Sequence, residues 1–531
     1  MAERADEARS EIFQTEISQL DALLKEGGIV VPDKQDGISI LLKGSAGAGK
    51  STLALLLAAK CAKDGGPCLY CALEQSDYSL KRLARSLNVD EEGWCWLSES
   101  DEPPQVESMT GFVCVTALRR REPDFYGYLN EVAEQAGRYV GTYGTEKRSM
   151  VLIDSLNVFG PDPVSRLEFE RLKGELSSKN RILVFVGEPE EAQPEVWDRL
   201  VDMVIELGSK TPLDYFLRTI RISKARFQNH ILGSHVSING AIIMPKRSVG
   251  AEPKADQPSD CGFFIYPSLH YHLSVAIERK RRLEERGRDQ EDRDRSQEDA
   301  RLLKTGFEAL YKALGGGVKR STMTAISSDL SYAAKGIGLS FLAQGVEDGD
   351  RGLYLSLQDD PESITKLPSP SEHGLSTMVE EGKLVITSYR PGFISAEEFV
   401  DKIIRQILDP SGLNARFQRV VFDDVSQIGL RFPLLELAPV FLPTLMDIFK
   451  LYDMTALFLS AWMPSETSDV GPTRANLNDL ASTVMEVKRV GVKSENEALV
   501  RIRKIAEQFY VPQPLKLSID REVGGRIRIT E

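Results

Sequence analysis

The chain alternates between short, largely apolar runs and longer stretches that suit helices. Ile38-Ser39-Ile40-Leu41-Leu42, Leu69 to Leu73, Met150 to Ile153 and the run RILVFV from Arg181 are each bounded by polar turns. Runs this short, without a polar face, read as strands buried on both sides. Between them lie segments such as Leu53 to Ala59, which read as buried helix. Strand and helix in alternation predict a parallel sheet covered by helices on both faces, the α/β class. Ligands of such sheets sit at the carboxyl ends of the strands.

The pattern occurs twice. PCLYCALEQSDYSLKRLA from Pro67 parallels RGLYLSLQDDPESITKLP from Arg351, and RSMVLIDSLNVFG from Arg148 parallels QRVVFDDVSQIG from Gln418. RILVFVGEP from Arg181 parallels TALFLSAWMP from Thr455, and VDMVIEL from Val201 parallels ASTVMEV from Ala481. Matches in one shared order predict duplicated domains rather than a solenoid. The expected division is 1–277, a charged linker or helix at 278–304, and 305–531. The middle segment mixes both charge signs with few apolar residues, as a solvated helix or linker does.

Composition narrows the class. A chain of 531 residues is too long for one core, which supports the two-domain division. A net charge of −13 argues against a dedicated nucleic-acid binder. The basic stretches Arg119-Arg120-Arg121 and Arg279 to Arg282 are the places where such contacts would be sought, and both also read as ordinary surface. No apolar stretch approaches the roughly 20 residues of a membrane span. The charged opening MAERADEARSEIF lacks the apolar core of a signal peptide, so the cytoplasm is the expected compartment. Of the six cysteines only Cys68 and Cys71 form a CxxC pair, and no second pair at ligand spacing accompanies it. On a strand the two thiols face opposite ways, so they are expected in the core.

The chemistry begins at GSAGAGKST. Gly44, Ser45, Ala46, Gly47, Ala48, Gly49, Lys50, Ser51 and Thr52 follow an apolar strand and precede an apolar helix. Glycines let the loop curl so that backbone N–H groups point at phosphate oxygens. Lys50 then reaches the β- and γ-phosphates, and the Ser51 hydroxyl ligates Mg²⁺. Asp154 ends a strand and suits the acidic residue of the Mg²⁺ shell. Glu74 follows another strand end, placed to orient or deprotonate the attacking water, with Gln75 as a weaker assistant.

With these residues in place, the chain resembles the KaiC branch of the RecA-like ATPases over nearly its whole length. The resemblance rests on GSAGAGKST, on ALEQS, on VLIDSL and on SKARFQNHILGSHVSINGAIIMP from Ser223, with GFFIYPSLH from Gly262 similar to the family's last strand. It implies two tandem RecA-like P-loop domains, each a mostly parallel twisted sheet flanked by helices. ATP and Mg²⁺ are the implied cofactors, and a ring hexamer is the implied assembly. The family's Lys-x-Arg pair followed by a histidine corresponds to Lys224, Arg226 and His230, whose cations would point at the ATP of a neighbouring subunit. Where family members often carry two adjacent glutamates, this chain has Glu74-Gln75, which implies slow hydrolysis.

The second half departs further. Its lead-in, GFEALYKALGGGVKRSTMTAISSDLSYAAKGIG from Gly306, resembles that of the family's second domain, but SSDLSYAAKG puts Asp329, Tyr332 and Ala334 where glycines belong. Lys335 reads as a relic of the loop lysine, within a residue or two of slippage. Gln358 falls opposite Glu74, Lys504 opposite Lys224 and Ala506 opposite Arg226. The expected protein is a regulatory ATPase, active in its first domain, with a pseudo-ATPase domain for assembly or for an unidentified protein partner. The alternatives are a RecA-like nucleic-acid motor and an ATP-gated scaffold with little turnover.

Overall fold

The computed structural model describes residues 12–32, 37–87, 89, 94–97, 112–116, 148–159, 166–188, 196–210, 217–231, 235–239, 263–287, 302–367, 374–389, 396–408, 415–428, 432, 441–461, 477–490, 497–506, 509–520 and 526–531. The chain forms two compact units, residues 1–271 and 272–531. Helix Leu269–Gly287 takes in the start of the charged segment, whose residues 288–301 lie outside the described residues, as do Arg119 to Arg121.

In the first unit the strands are β1 (Ile38–Gly44), β2 (Cys68–Ala72), β3 (Cys95–Leu97), β4 (Phe112–Thr116), β5 (Ser149–Asp154), β6 (Arg181–Gly187), β7 (Met203–Lys210), β8 (Leu217–Ala225), β9 (His235–Asn239) and β10 (Phe263–Tyr266). They form one sheet in the order β10-β9-β8-β7-β1-β6-β5-β2-β4-β3. Every pairing from β3 across to β7 is parallel, and β7 to β10 pair antiparallel. The alternation of side chains along β1 feeds two cores. Ile40 and Leu42 join one cluster with α1 (Lys50–Lys63), whereas Leu41 joins the other with Phe169, Leu172 and Leu176 of α2 (Arg166–Leu176). Cys68 lies in the first core and Cys71 in the second, so the CxxC pair is split across the sheet as expected. Burial pushes the Cys71 thiol up to about 12, which leaves it inert at neutral pH.

The second unit repeats the plan with β11 (Met323–Ser328), β12 (Gly352–Ser356), β13 (Leu384–Ser388), β14 (Arg419–Asp423), β15 (Thr455–Ala461), β16 (Thr483–Arg489), β17 (Glu497–Ile505), β18 (Leu515–Asp520) and β19 (Arg526–Thr530). The order is β13-β12-β14-β15-β11-β16-β17-β18-β19, parallel from β13 to β16 and antiparallel beyond. Its central helix is α3 (Ser331–Glu347). Both units are therefore RecA-like P-loop folds in tandem.

Backbone pairing gives a residue-by-residue correspondence between them. Asp202 N donates to Ser39 O, as Ser482 N does to Met323 O, and Arg226 N donates to Asp202 O, as Ala506 N does to Ser482 O. Leu73 N donates to Asp154 O, as Leu357 N does to Asp423 O, and Gly66 N donates to Cys61 O, as Asp350 N does to Gly345 O. Gly44 pairs with Leu207, and Ser328 pairs with Val487.

Candidate phosphate-binding site

Gly44 ends β1 where only a hydrogen fits, since a Cβ there would lie 1.9 Å from Leu207 O. Gly47 and Gly49 adopt φ of 72° and 100°, a region costly for any other residue. Their left-handed turns delay helix α1 until Lys50 and curl the loop at the helix start, the form in which backbone N–H groups converge on an anion. A cleft of about 400 Å³ opens there, lined by Gly47, Gly49, Lys50, Ser51, Gln75 and Arg218 among others.

Lys50 is nearly buried, and its Nζ donates to Gly44 O, Ser45 O and Glu188 Oε1, each at 2.9 Å. A phosphate that takes this ammonium competes with the Glu188 carboxylate. Glu188 is itself fixed, because its N–H donates to Asn157 Oδ1 at 2.7 Å.

Ser51 and Asp154 come together. The Ser51 hydroxyl accepts from Gln75 Nε2 at 3.0 Å and stands near enough to the Asp154 carboxylate to favour its charged form. Asp154 accepts from the Tyr70 hydroxyl at 2.7 Å. Burial raises the Asp154 carboxyl above its ordinary range, against the lowering effect of these two hydroxyls. One hydroxyl and one carboxylate at a phosphate loop fit Mg²⁺, which takes few protein ligands and completes its shell with water and phosphate oxygens. Glu74 lies at the same end of the sheet, and its Oε1 accepts from Ser155 Oγ at 2.7 Å.

Lys224 and Arg226 are elsewhere. Lys224 Nζ donates to the carbonyls of Asp198 at 2.7 Å and Val201 at 2.6 Å, and Arg226 pairs with the buried Asp202 at 2.9 Å. Burial, with help from the Arg226 charge, holds the Lys224 ammonium below its ordinary range. Through Asp202, Arg226 is level with Ser39, whereas the loop begins at Gly44. Five strand residues separate the two ends, about 17 Å. No arginine spans that distance, so Arg226 cannot serve the loop of its own unit. His230 bridges Leu24 through the backbone, and His235 is buried with Nδ1 accepting from Ser268 N at 3.0 Å.

Glu188, Tyr70 and Arg218 are functional candidates that motif reading misses. Glu188 sits in GEPEE, an unremarkable polar stretch of the sequence. Only the sheet order, which sets β6 beside β1, brings it to Lys50.

In the second unit the segment from Ser328 to Gly345 has the same length as Gly44 to Cys61, so nothing is deleted. Gly47 and Gly49 correspond to Ser331 and Ala333, which wind into the first turn of α3. The loop becomes helix because these residues resist the left-handed conformation. This corrects the expected register. Ala334 occupies the place of Lys50, and Lys335 the place of Ser51. Ala461 stands where Glu188 does, since Ser328 pairs with Ala461 one step beyond the pair matching Lys43 and Gly187. Both partners of the Lys50–Glu188 pair are thus absent together. The expected equivalences hold elsewhere: Gln358 replaces Glu74, and Ala506 replaces Arg226.

Among the described residues no helix is long and apolar enough to cross a membrane. Within the Arg279 to Arg282 stretch, Arg281 and Arg282 pair with Glu278 and Arg281 also with Glu285.

A search of curated proteins finds no match. A family model described as "ATPase: KaiC" matches residues 13–246 and again residues 303–527. The first match takes in β1 to β9 with the phosphate loop and the second β11 to β18 with the start of β19, and on these grounds the chain belongs to the KaiC family of RecA-like ATPases.

Proposed function

We propose that the first unit binds and slowly hydrolyses ATP with Mg²⁺ as part of a regulatory ATPase, and that the second is a pseudo-ATPase unit for assembly or partner binding. The carrying observation is the contrast at matched positions: loop, lysine, hydroxyl and carboxylates are all present in one unit, while the other has exchanged most of them. The loop N–H groups and Lys50 hold the β- and γ-phosphates. Mg²⁺, which Ser51 and Asp154 would hold, supplies charge neutralisation at those oxygens. Glu74 accepts a proton from the attacking water as its oxygen bonds to the γ-phosphorus, the bond to the β–γ bridging oxygen breaks, and ADP and phosphate result. Gln75 bonds Ser51 and carries no charge to share this task, so turnover is slow. Arg226, too far from its own loop, and Lys224 two residues before it would complete the pocket of an adjoining copy in a ring.

Glu74→Gln tests the reading. The expected result is ATP binding retained and phosphate release reduced about 10²- to 10⁴-fold, measured by a single-turnover assay. Unchanged release removes Glu74 from the chemistry. If the native chain releases no phosphate at all, the ATP-gated scaffold replaces the hydrolase.

A further inference from the structure

The second unit has not simply lost the groups that correspond to Ser51 and Asp154. Asp423 matches Asp154, and it keeps the same tyrosine: the Tyr354 hydroxyl donates to Asp423 Oδ2 at 2.8 Å, as Tyr70 does to Asp154 at 2.7 Å. At the Ser51 position stands Lys335, nearly buried on α3. Its ammonium lies 3.7 Å from Asp423 Oδ2 and bonds directly to Asp359. Asp359 follows Gln358 as Gln75 follows Glu74, so the neutral amide that contacts Ser51 has become a second carboxylate. Asp359 is fixed in turn, with its N–H donating to Ser356 Oγ at 2.9 Å.

Both exchanges run in the same direction. A hydroxyl that would help hold a cation is replaced by a cation, and an amide beside it by an anion. We infer that Lys335 is a tethered replacement for the divalent cation, which keeps the second unit's carboxylates in a cation-loaded arrangement with no metal or nucleotide; this rests on the reading of Ser51 and Asp154 as the metal ligands of the first unit. An ammonium has three donors and hydrogen-bonds carboxylates well, but it is a single charge on a fixed stem and it cannot exchange. The second unit is therefore held in one state through the nucleotide cycle of the first.

The full-length chain carries the test. Lys335→Ser restores the residue of the first unit and leaves Asp359 and Asp423 without their cation. In metal-free buffer without nucleotide, its melting transition falls by about 10 °C, the scale expected for breaking a buried charge pair in a domain this size. Millimolar Mn²⁺ recovers at least half of that loss, whereas Lys335→Met falls by a similar amount and stays down. Lys335→Met combined with Asp423→Asn loses less than the two single losses added, a cycle that reads the pairing even where Lys335→Ser folds poorly. Phosphate release by the first unit is unchanged in Lys335→Met. The inference is overturned if Lys335→Ser melts like the native chain, if Mn²⁺ does not move its transition, or if the cycle is additive. Ser51→Ala, read by Mg²⁺-dependent ATP binding, reports separately on the first unit: no change there removes the metal reading of Ser51 while the Mn²⁺ result for position 335 still stands.

Discussion

Lys50→Ala is expected to abolish ATP binding and phosphate release together. The Lys50 ammonium is a positive charge placed inside the loop, tied to two loop carbonyls and to Glu188. Removing it does two things. Phosphate oxygens lose a charge-assisted donor, and Glu188 is left facing them unneutralised. Truncating one partner of a desolvated charge pair costs 2–5 kcal/mol or more by general experience, so affinity falls by about 100-fold or more. The fold is expected to survive, because Glu188 is 42% exposed and water can take over its solvation. A fluorescent-nucleotide titration beside a thermal melt separates the two effects. An affinity within a few-fold of native, with the melt unchanged, would show that Lys50 does not hold the nucleotide. Lys50→Ala/Glu188→Gln tests the repulsive share, since removing the carboxylate should recover part of the lost affinity. The second unit has made both changes at once, with Ala334 and Ala461 in the two places.

Much of this site was legible because its parts are local in sequence. A glycine loop between an apolar strand and an apolar helix names its own chemistry, and Asp154 and Glu74 are marked by their positions at strand ends. The duplication was legible for the same reason, as each matched segment is one strand with its following turn. What was not legible depends on sheet order and helix register. Glu188 reaches Lys50 only because β6 lies beside β1. The register at Lys335 is set by the strand pairing of Ser328 and the bond of Asp350 N to Gly345 O, with nothing deleted between; within it α3 begins three residues earlier than its counterpart because Ser331 and Ala333 replace the two left-handed glycines. Matching lysine to lysine puts Lys335 at the Lys50 position, whereas the backbone pairing puts it at Ser51. The Lys-x-Arg pair was visible as a pattern, but its distance from its own loop was not, since that depends on β8 running antiparallel to β7.

That distance leads to the second large effect. Arg226→Ala is expected to lower turnover about 10³-fold, the lower end of what an arginine finger contributes, while ATP stays bound. The loss cannot come from the unit's own loop, which lies at the other end of the sheet. Nor should it come from unfolding. Arg226 is half exposed, and Asp202 retains the Ser39 hydroxyl and Lys173 as partners, so the lost pair is worth little to stability. Mixing decides whose site the arginine serves. A chain with Arg226→Ala keeps a working loop, and a chain with Lys50→Ala keeps a working finger. In a closed ring with head-to-tail contacts, random assembly of equal amounts places about a quarter of the interfaces with the intact loop facing the intact finger. Two nearly inactive proteins should then regain about a quarter of native turnover once mixed and allowed to exchange. Recovery on that scale is hard to explain unless one copy completes the pocket of another. No recovery, with exchange verified by differently labelled chains, would mean that Arg226 acts within its own chain's fold and that each first unit works alone.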